Sequence, residues 1–139
     1  RWLDCTKIAL SQSLTDFLQG YMMNFQDCRD HCLMQLQSSE DFPFGPDIYV
    51  YKVVGKIFAI LSETAGVARV NLKCDPQEAL MLRDIFPAIT PGYHMNKQHW
   101  NTLQLDGSVP ENEIKRQIEN SFQLVVKSLP KARRPQLAG

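Results

Sequence analysis

Ile48 to Cys74, IYVYKVVGKIFAILSETAGVARVNLKC, is the stretch whose reading decides the fold. Ile48 to Val53 and Lys56 to Ser62 are β-branched and aromatic runs on either side of Val54-Gly55, which reads as a hairpin turn. Val67 to Cys74 follows after Glu63-Thr64-Ala65-Gly66, so the chain predicts three strands in a meander. On the third, Ala68, Val70, Leu72 and Cys74 alternate with Arg69, Asn71 and Lys73. Side chains two apart share a face of a strand, so one side of this sheet is apolar and the other carries cations.

Helices flank the meander. Upstream, Phe25, Cys28, Cys32 and Leu36 recur at helical spacing, closing before Ser38-Ser39. Phe42-Pro43-Phe44-Gly45-Pro46 is then a stiff aromatic connector that suits neither helix nor central strand. Downstream, Asp75-Pro76-Gln77-Glu78 combines the acceptor, first-turn proline and third-position acid of a helix start, with Pro87 marking the end. Ala79, Leu82, Ile85 and Phe86 are placed to face the core. Ala88 to Tyr93 and Asn101 to Leu105 predict two more short strands. Ser108-Val109-Pro110-Glu111 reads as a capping box, after which Ile114, Ile118, Phe122, Val125 and Leu129 form an apolar stripe up to Pro130. The order α-β-β-β-α-β-β-α implies an α+β fold of two layers, an antiparallel five-stranded sheet with helices on one face.

The 139 residues have room for one ordinary domain, and 22% charged residues suit a globular protein. Fifteen Lys plus Arg balance fifteen Asp plus Glu, so overall charge does not select an acidic or basic partner. Charge is nonetheless segregated. Met23 to Asp47 holds Asp27, Asp30, Glu40, Asp41 and Asp47 against Arg29 alone, whereas Lys127 to Arg134 holds Lys127, Lys131, Arg133 and Arg134 with no acid. Cys5, Cys28, Cys32 and Cys74 lack both C-x-x-C spacing and the density of a disulfide scaffold, which predicts reduced cysteines and a cytoplasmic protein. Cys28 and Cys32, four apart, fit small buried positions on one helix face. No run approaches the length of a membrane span, so no membrane partner is expected.

The densest polar chemistry lies in His94-Met95-Asn96-Lys97-Gln98-His99-Trp100, between Pro91-Gly92 and the last strand. A loop displayed by a rigid scaffold is a common place for binding groups. Lys97, with Lys73 and Arg69 on the open strand face and Lys56 at the hairpin, can converge on one anion. His94, His99 and Asn96 supply further polar contacts. Catalysis has little support. His94 and His99 would need two more zinc ligands, with Cys74 or Asp106 the only plausible additions. Cys74 beside Lys73, Ser108 and Ser121 are the available nucleophiles, and Ser108 is better used as a cap. There is no P-loop and no dinucleotide-binding glycine motif. The sequence therefore predicts no catalytic residue, no metal and no cofactor.

Asp41-Phe42-Pro43-Phe44-Gly45-Pro46-Asp47, Val54-Gly55-Lys56-Ile57-Phe58-Ala59, Leu72-Lys73-Cys74, Leu82-Arg83, Pro91 to Lys97, His99-Trp100-Asn101-Thr102, Leu105-Asp106-Gly107 and Ser121-Phe122 follow one another along the chain. This ordered set, from about Met23 to Leu129, resembles the successive motifs of the MmcQ/YjbR family of small bacterial proteins. The resemblance implies a CyaY-like or secretion-chaperone-like α+β domain and a DNA-binding protein with a double-wing motif. It brings no catalytic residues with it.

The expected function is thus DNA binding through Lys56, Arg69, Lys73, His94, Asn96, Lys97 and His99, with modest, salt-sensitive affinity. The alternative is a non-catalytic pocket module that uses the same groups for a small anionic ligand, or a module for a protein or peptide partner. Residues 23–130 read as one domain and 131–139 as a basic flexible tail. Residues 1–22 read as an extension outside the resemblance, either an accessory helix with Leu3, Leu10, Leu14, Phe17 and Leu18 on its apolar side or a segment foreign to the domain. Truncation to Met23 is expected to leave a cooperative thermal transition at a similar midpoint. A large loss of stability would show that the extension docks on the core.

Overall fold

The computed structural model describes residues 23–92 and 95–135. Asn24 opens helix α1 (Phe25–Leu33) with a reciprocal cap, its side chain accepting from the Asp27 amide while the Asp27 carboxylate accepts from the Asn24 amide. Strands β1 (Ser38–Asp41), β2 (Tyr49–Val53), β3 (Lys56–Thr64) and β4 (Val67–Lys73) follow, then helix α2 (Pro76–Ile85). Strands β5 (Ile89–Pro91) and β6 (Trp100–Gln104) precede helix α3 (Glu111–Lys127) and a 3-10 turn, Lys131–Arg133. All pairings are antiparallel, in the order β1-β2-β3-β4-β6-β5. The α+β class and the meander are as the sequence predicts. Both meander turns have two successive positive φ values, 50° and 78° at Val54-Gly55 and 53° and 78° at Ala65-Gly66, the twist that matches right-handed strands.

The sheet has six strands rather than five. Ser38-Ser39, expected to stop the first helix, instead begins β1, and α1 already ends at Leu33. β1 is polar throughout because it is an edge strand whose backbone pairs with β2. Its Glu40 accepts from Arg29 Nε at 2.8 Å and from the Tyr51 hydroxyl at 2.8 Å. The Arg29 guanidinium, helped by that hydroxyl, holds the Glu40 carboxyl below its ordinary range. At the other edge, β5 is three residues long and ends in Pro91.

The three described helices lie on one face. α1 packs on β1 and β3, α3 crosses β2, β3 and β4, and α2 covers β5 and β6. Arg116 on α3 reaches Glu78 on α2 at 3.0 Å, and His31 on α1 lies 2.8 Å from Glu119 on α3, so the layer is tied sideways. Of the expected stripe, Ile114, Ile118, Phe122 and Val125 on α3 share one buried core with Tyr51, Phe58, Leu61, Val70, Leu72 and Leu103, and Leu129 is buried just beyond the end of the helix. Cys28 and Cys32 are fully buried in the same core. Two local expectations fail. Ile85 is 60% exposed, because α2 turns only Ala79 and Leu82 fully inward. Ser108 caps no helix: its amide and hydroxyl both donate to Asp106, and the residue at the cap of α3 is Pro110, which offers no side-chain hydrogen bond. The start of the basic tail is a turn in which Arg134 Nε donates to the Leu129 carbonyl at 2.9 Å and Nη2 to that of Lys127 at 2.8 Å, closing the end of α3.

One irregularity organises the sheet. Tyr51 pairs with Ala59 but Lys52 with Ile57, so Phe58 is the extra residue of a β-bulge. The bulge turns Phe58 toward the helices, where its ring meets Phe122 edge-on with centroids 5.3 Å apart. The β3–β4 register stops at Ala59 with Leu72. Beyond that pair the Ser121 hydroxyl inserts, donating to the Phe58 carbonyl at 2.6 Å and accepting from the Lys73 amide at 2.8 Å. Ser121→Ala would leave both backbone groups buried and unpaired, and is expected to lower unfolding free energy by about 1–3 kcal/mol per unsatisfied group. Urea titration with an unchanged m-value checks this, and an unaltered midpoint would contradict it.

Candidate functional site

The polar loop is set in place by backbone and by one arginine. Gly92 donates to the Trp100 carbonyl at 2.8 Å and closes the β5–β6 ladder. A Cβ at Gly92 would come within 2.9 Å of Trp100 Cβ, so this crossing requires glycine. Inside the loop the His99 amide donates to the Asn96 carbonyl at 3.1 Å and the Gln98 amide to Asn96 Oδ1 at 2.9 Å, a turn of the kind asparagine favours. The Cys74 amide then donates to the His99 carbonyl at 2.7 Å, joining the loop to the end of β4. Arg83 reaches across from α2. Its Nε donates to Asn101 Oδ1 at 2.7 Å, and its Nη2 donates to the carbonyls of Lys97 and, at 3.4 Å, Trp100. Asn101, 1% exposed, completes the staple by donating to the Ala79 carbonyl at 3.5 Å.

The face of the sheet that no described helix covers carries the cations expected of it. Strand register builds a row Val50–Ile60–Asn71–Thr102–Thr90 across this face, and Thr102 Oγ1 donates to Asn71 Oδ1. Arg69, paired with Ser62 and Gln104, lies on one side of that row. Lys73, paired with Trp100, lies on the other. Among the described residues neither cationic side chain has a carboxylate partner, whereas Lys52 on the same face is 2.9 Å from Asp41. Beside them is a cavity of about 360 Å³ walled by Phe44, Ile48, Ile57, Ile60 and Met95, with Ser62 and Asn71 as its polar lining. Strict alternation would send Ile57 and Ile60 to opposite faces. The Phe58 bulge puts both in this wall.

The candidate residues do not gather at one point. Arg69 and Lys73 share the open face. Lys56 is exposed and in register with Val53, which belongs to the helix-covered face. Lys97 lines a different cavity of about 410 Å³ with Pro76, Leu80, Arg83 and Gln98. Asn96 spends its carbonyl oxygen on the loop's own turn, and His99 is half-buried at the loop's end. His94 lies outside the described residues. Sequence reasoning passed over Arg83, the Asn71–Thr102 pair and the apolar wall. Arg83 was visible only as a motif member, and the wall depends on a bulge and on a connector folding back over the sheet.

The possible nucleophiles are occupied or quenched. Burial, with the Glu78 carboxylate 3.7 Å away, pushes the Cys74 thiol up to about 12. Ser121 is buried and bridges two backbone groups, and the Ser108 hydroxyl donates to Asp106 at 2.6 Å. A thiol with so raised a pKa is protonated throughout the neutral range. Cys74 is therefore expected to resist iodoacetamide in the folded protein between about pH 7 and 9 and to react once unfolded. Peptide mapping by mass spectrometry reads this directly, and rapid native alkylation would restore Cys74 as a nucleophile.

A family model described as YjbR matches residues 35–124, from the turn before β1 to the last turns of α3. The chain is 46% identical over 90 residues to YbdF of Escherichia coli O157:H7, covering 65% of this chain and 74% of that protein. It is 37% identical over 83 residues to YjbR of Escherichia coli K12, covering 60% and 70%. Both relatives are described as uncharacterized proteins. The crystal structure of Deinococcus radiodurans protein DR2400, a DUF419 domain, superposes with a TM-score of 0.75 at 38% identity, covering 81% of this chain and 86% of that one. A Pseudomonas syringae protein gives 0.65 at 33% identity, covering 73% and 98%. The match spans the edge strand, the bulge, the loop and the serine of α3 alike, and the chain belongs to the YjbR family, the MmcQ/YjbR family that its motifs resemble.

Proposed function

We propose that the protein is a non-catalytic binding module whose ligand occupies the open face of the sheet. The observation that carries this reading is the cavity formed by Phe44, Ile48, Ile57, Ile60 and Met95 beside two cations without carboxylate partners among the described residues. Small-ligand sites are concave and mostly apolar, with a few polar groups that fix orientation. Here the isoleucines take an apolar body, Asn71 and Ser62 orient it, and Arg69 or Lys73 receives an anionic group. The quenched thiol and the two engaged serines support binding without covalent chemistry. No described helix is long and apolar enough to cross a membrane, and reduced buried cysteines support a cytoplasmic setting.

DNA binding is the second reading, favoured by the same two cations on a strand face that no described helix covers. Phosphate contacts by Arg69 and Lys73, with Lys97 further along, would give few-charge, salt-steep binding. A concave apolar centre fits a duplex backbone poorly, which places this reading second. The anionic dye 8-anilinonaphthalene-1-sulfonate separates the two. In the folded protein it is expected to shift backbone NMR signals of Ile57, Ile60 and Asn71, and Ile60→Glu is expected to abolish the shifts while near-UV circular dichroism stays native. If the dye leaves these signals unmoved while a 20-base-pair duplex binds with a log-log salt slope that Lys73→Ala flattens by about one unit, DNA binding replaces the pocket reading.

A further inference from the structure

A second cavity lies on the opposite side of the polar loop, between the loop and α2. Its volume is about 410 Å³, and Pro76, Leu80, Arg83, Lys97 and Gln98 line it. Two of the five are cations, one is an amide and two are apolar. No carboxylate is among its described lining residues. Among the described residues every acceptor of Arg83 is neutral: Asn101 Oδ1 and the carbonyls of Lys97 and Trp100. The guanidinium thus keeps its full charge. Its Nη1 has no acceptor among those residues, so two N–H groups remain for an incoming anion. Arg29 and Arg116, by contrast, are paired with carboxylates, Arg29 with Glu40 and Arg116 with Glu78 and Glu113. Beside this charge Leu80 is 64% exposed, a large apolar side chain left in water at the cavity wall.

We propose that this cavity is an anion site for a carboxylate joined to a short apolar group. The carboxylate meets the two N–H groups left on Arg83 Nη1, a charge-assisted contact, with Lys97 and the Gln98 amide nearby. The apolar group lies on Leu80 and Pro76. A free organic acid and the carboxyl end of a peptide share this chemistry. The site is separate from the open-face cavity, which Met95 walls from the same loop, and the two are told apart by which residues respond.

The test is an NMR titration of the full chain with N-acetylleucine, its neutral amide, inorganic phosphate, and the peptide acetyl-Gly-Gly-Gly-Leu with a free carboxyl end. N-acetylleucine is expected to shift Leu80, Gln98 and the Arg83 Nε–H in the millimolar range, with the amide weaker by about tenfold or more. The peptide binding more tightly than N-acetylleucine would identify a chain end as the source, and the reverse a free acid. Leu80→Glu puts a carboxylate into the wall at an exposed position and is expected to remove the response without disturbing the fold. Arg83→Lys keeps a positive charge but removes the Nη1 donors, and is expected to weaken binding while thermal unfolding remains cooperative. Equal binding of acid and amide, phosphate matching N-acetylleucine, shifts confined to Ile57, Ile60 and Asn71, or a response that survives Leu80→Glu would each overturn the proposal.

Discussion

The Ser121 hydroxyl between Phe58 and Lys73 is the contact on which the rest of the structure turns. A bulge stabilises nothing by itself, because it breaks a ladder and strands two backbone groups in the core. Here a helix supplies the missing partner, and a single oxygen both donates and accepts. This fixes the rotation and height of α3 over the sheet more tightly than its apolar stripe can, since hydrophobic contact is non-directional. With α3 so placed, Phe58 packs on Phe122 and the isoleucines on either side of the bulge are released to the other face. One serine thereby connects the packing of the core to the shape of the surface behind it.

Much of this fold could be read from local rules. The two Gly-containing turns, the α2 start at Asp75-Pro76 and the buried stripe of α3 each rest on chemistry confined to a few neighbouring residues. The failures share a cause. Ser38-Ser39-Glu40-Asp41 has no apolar alternation, and it becomes a strand only because Arg29 and Tyr51 wait for Glu40. Ser108 has the spacing of a cap but finds Asp106 two residues away first. The bulge at Phe58 is a property of two strands and a helix together. Periodicity within one segment cannot register such partnerships, which are set by groups distant in sequence.

The candidate site was legible to the same degree. Alternation on β4 places Arg69, Asn71 and Lys73 together, and the loop from Met95 to Trp100 does border cavities. What the sequence suggested as one cationic focus is two regions divided by the sheet edge. The loop faces both: Met95 toward the open face, Lys97 and Gln98 toward α2. Arg83 holds the loop between them, and nothing in its immediate neighbours marks it, because its partners are backbone carbonyls and a buried asparagine from the following strand.

The two borders of the sheet have a consequence for the molecule's behaviour in a crowded solution. An open strand edge is a template on which another chain can grow, and long flat edges seed fibrous aggregates. One border here is β1, only four residues long, with its carboxylates Glu40 and Asp41 paired within the protein to Arg29 and Lys52. The other is three residues long and ends in Pro91, which has no amide hydrogen to offer. Sheet extension is disfavoured on one side by the shortness of the strand and on the other by a missing donor. A protein whose described helices all lie on one side of the sheet can therefore present the other side without its strands becoming the nucleus of a polymer.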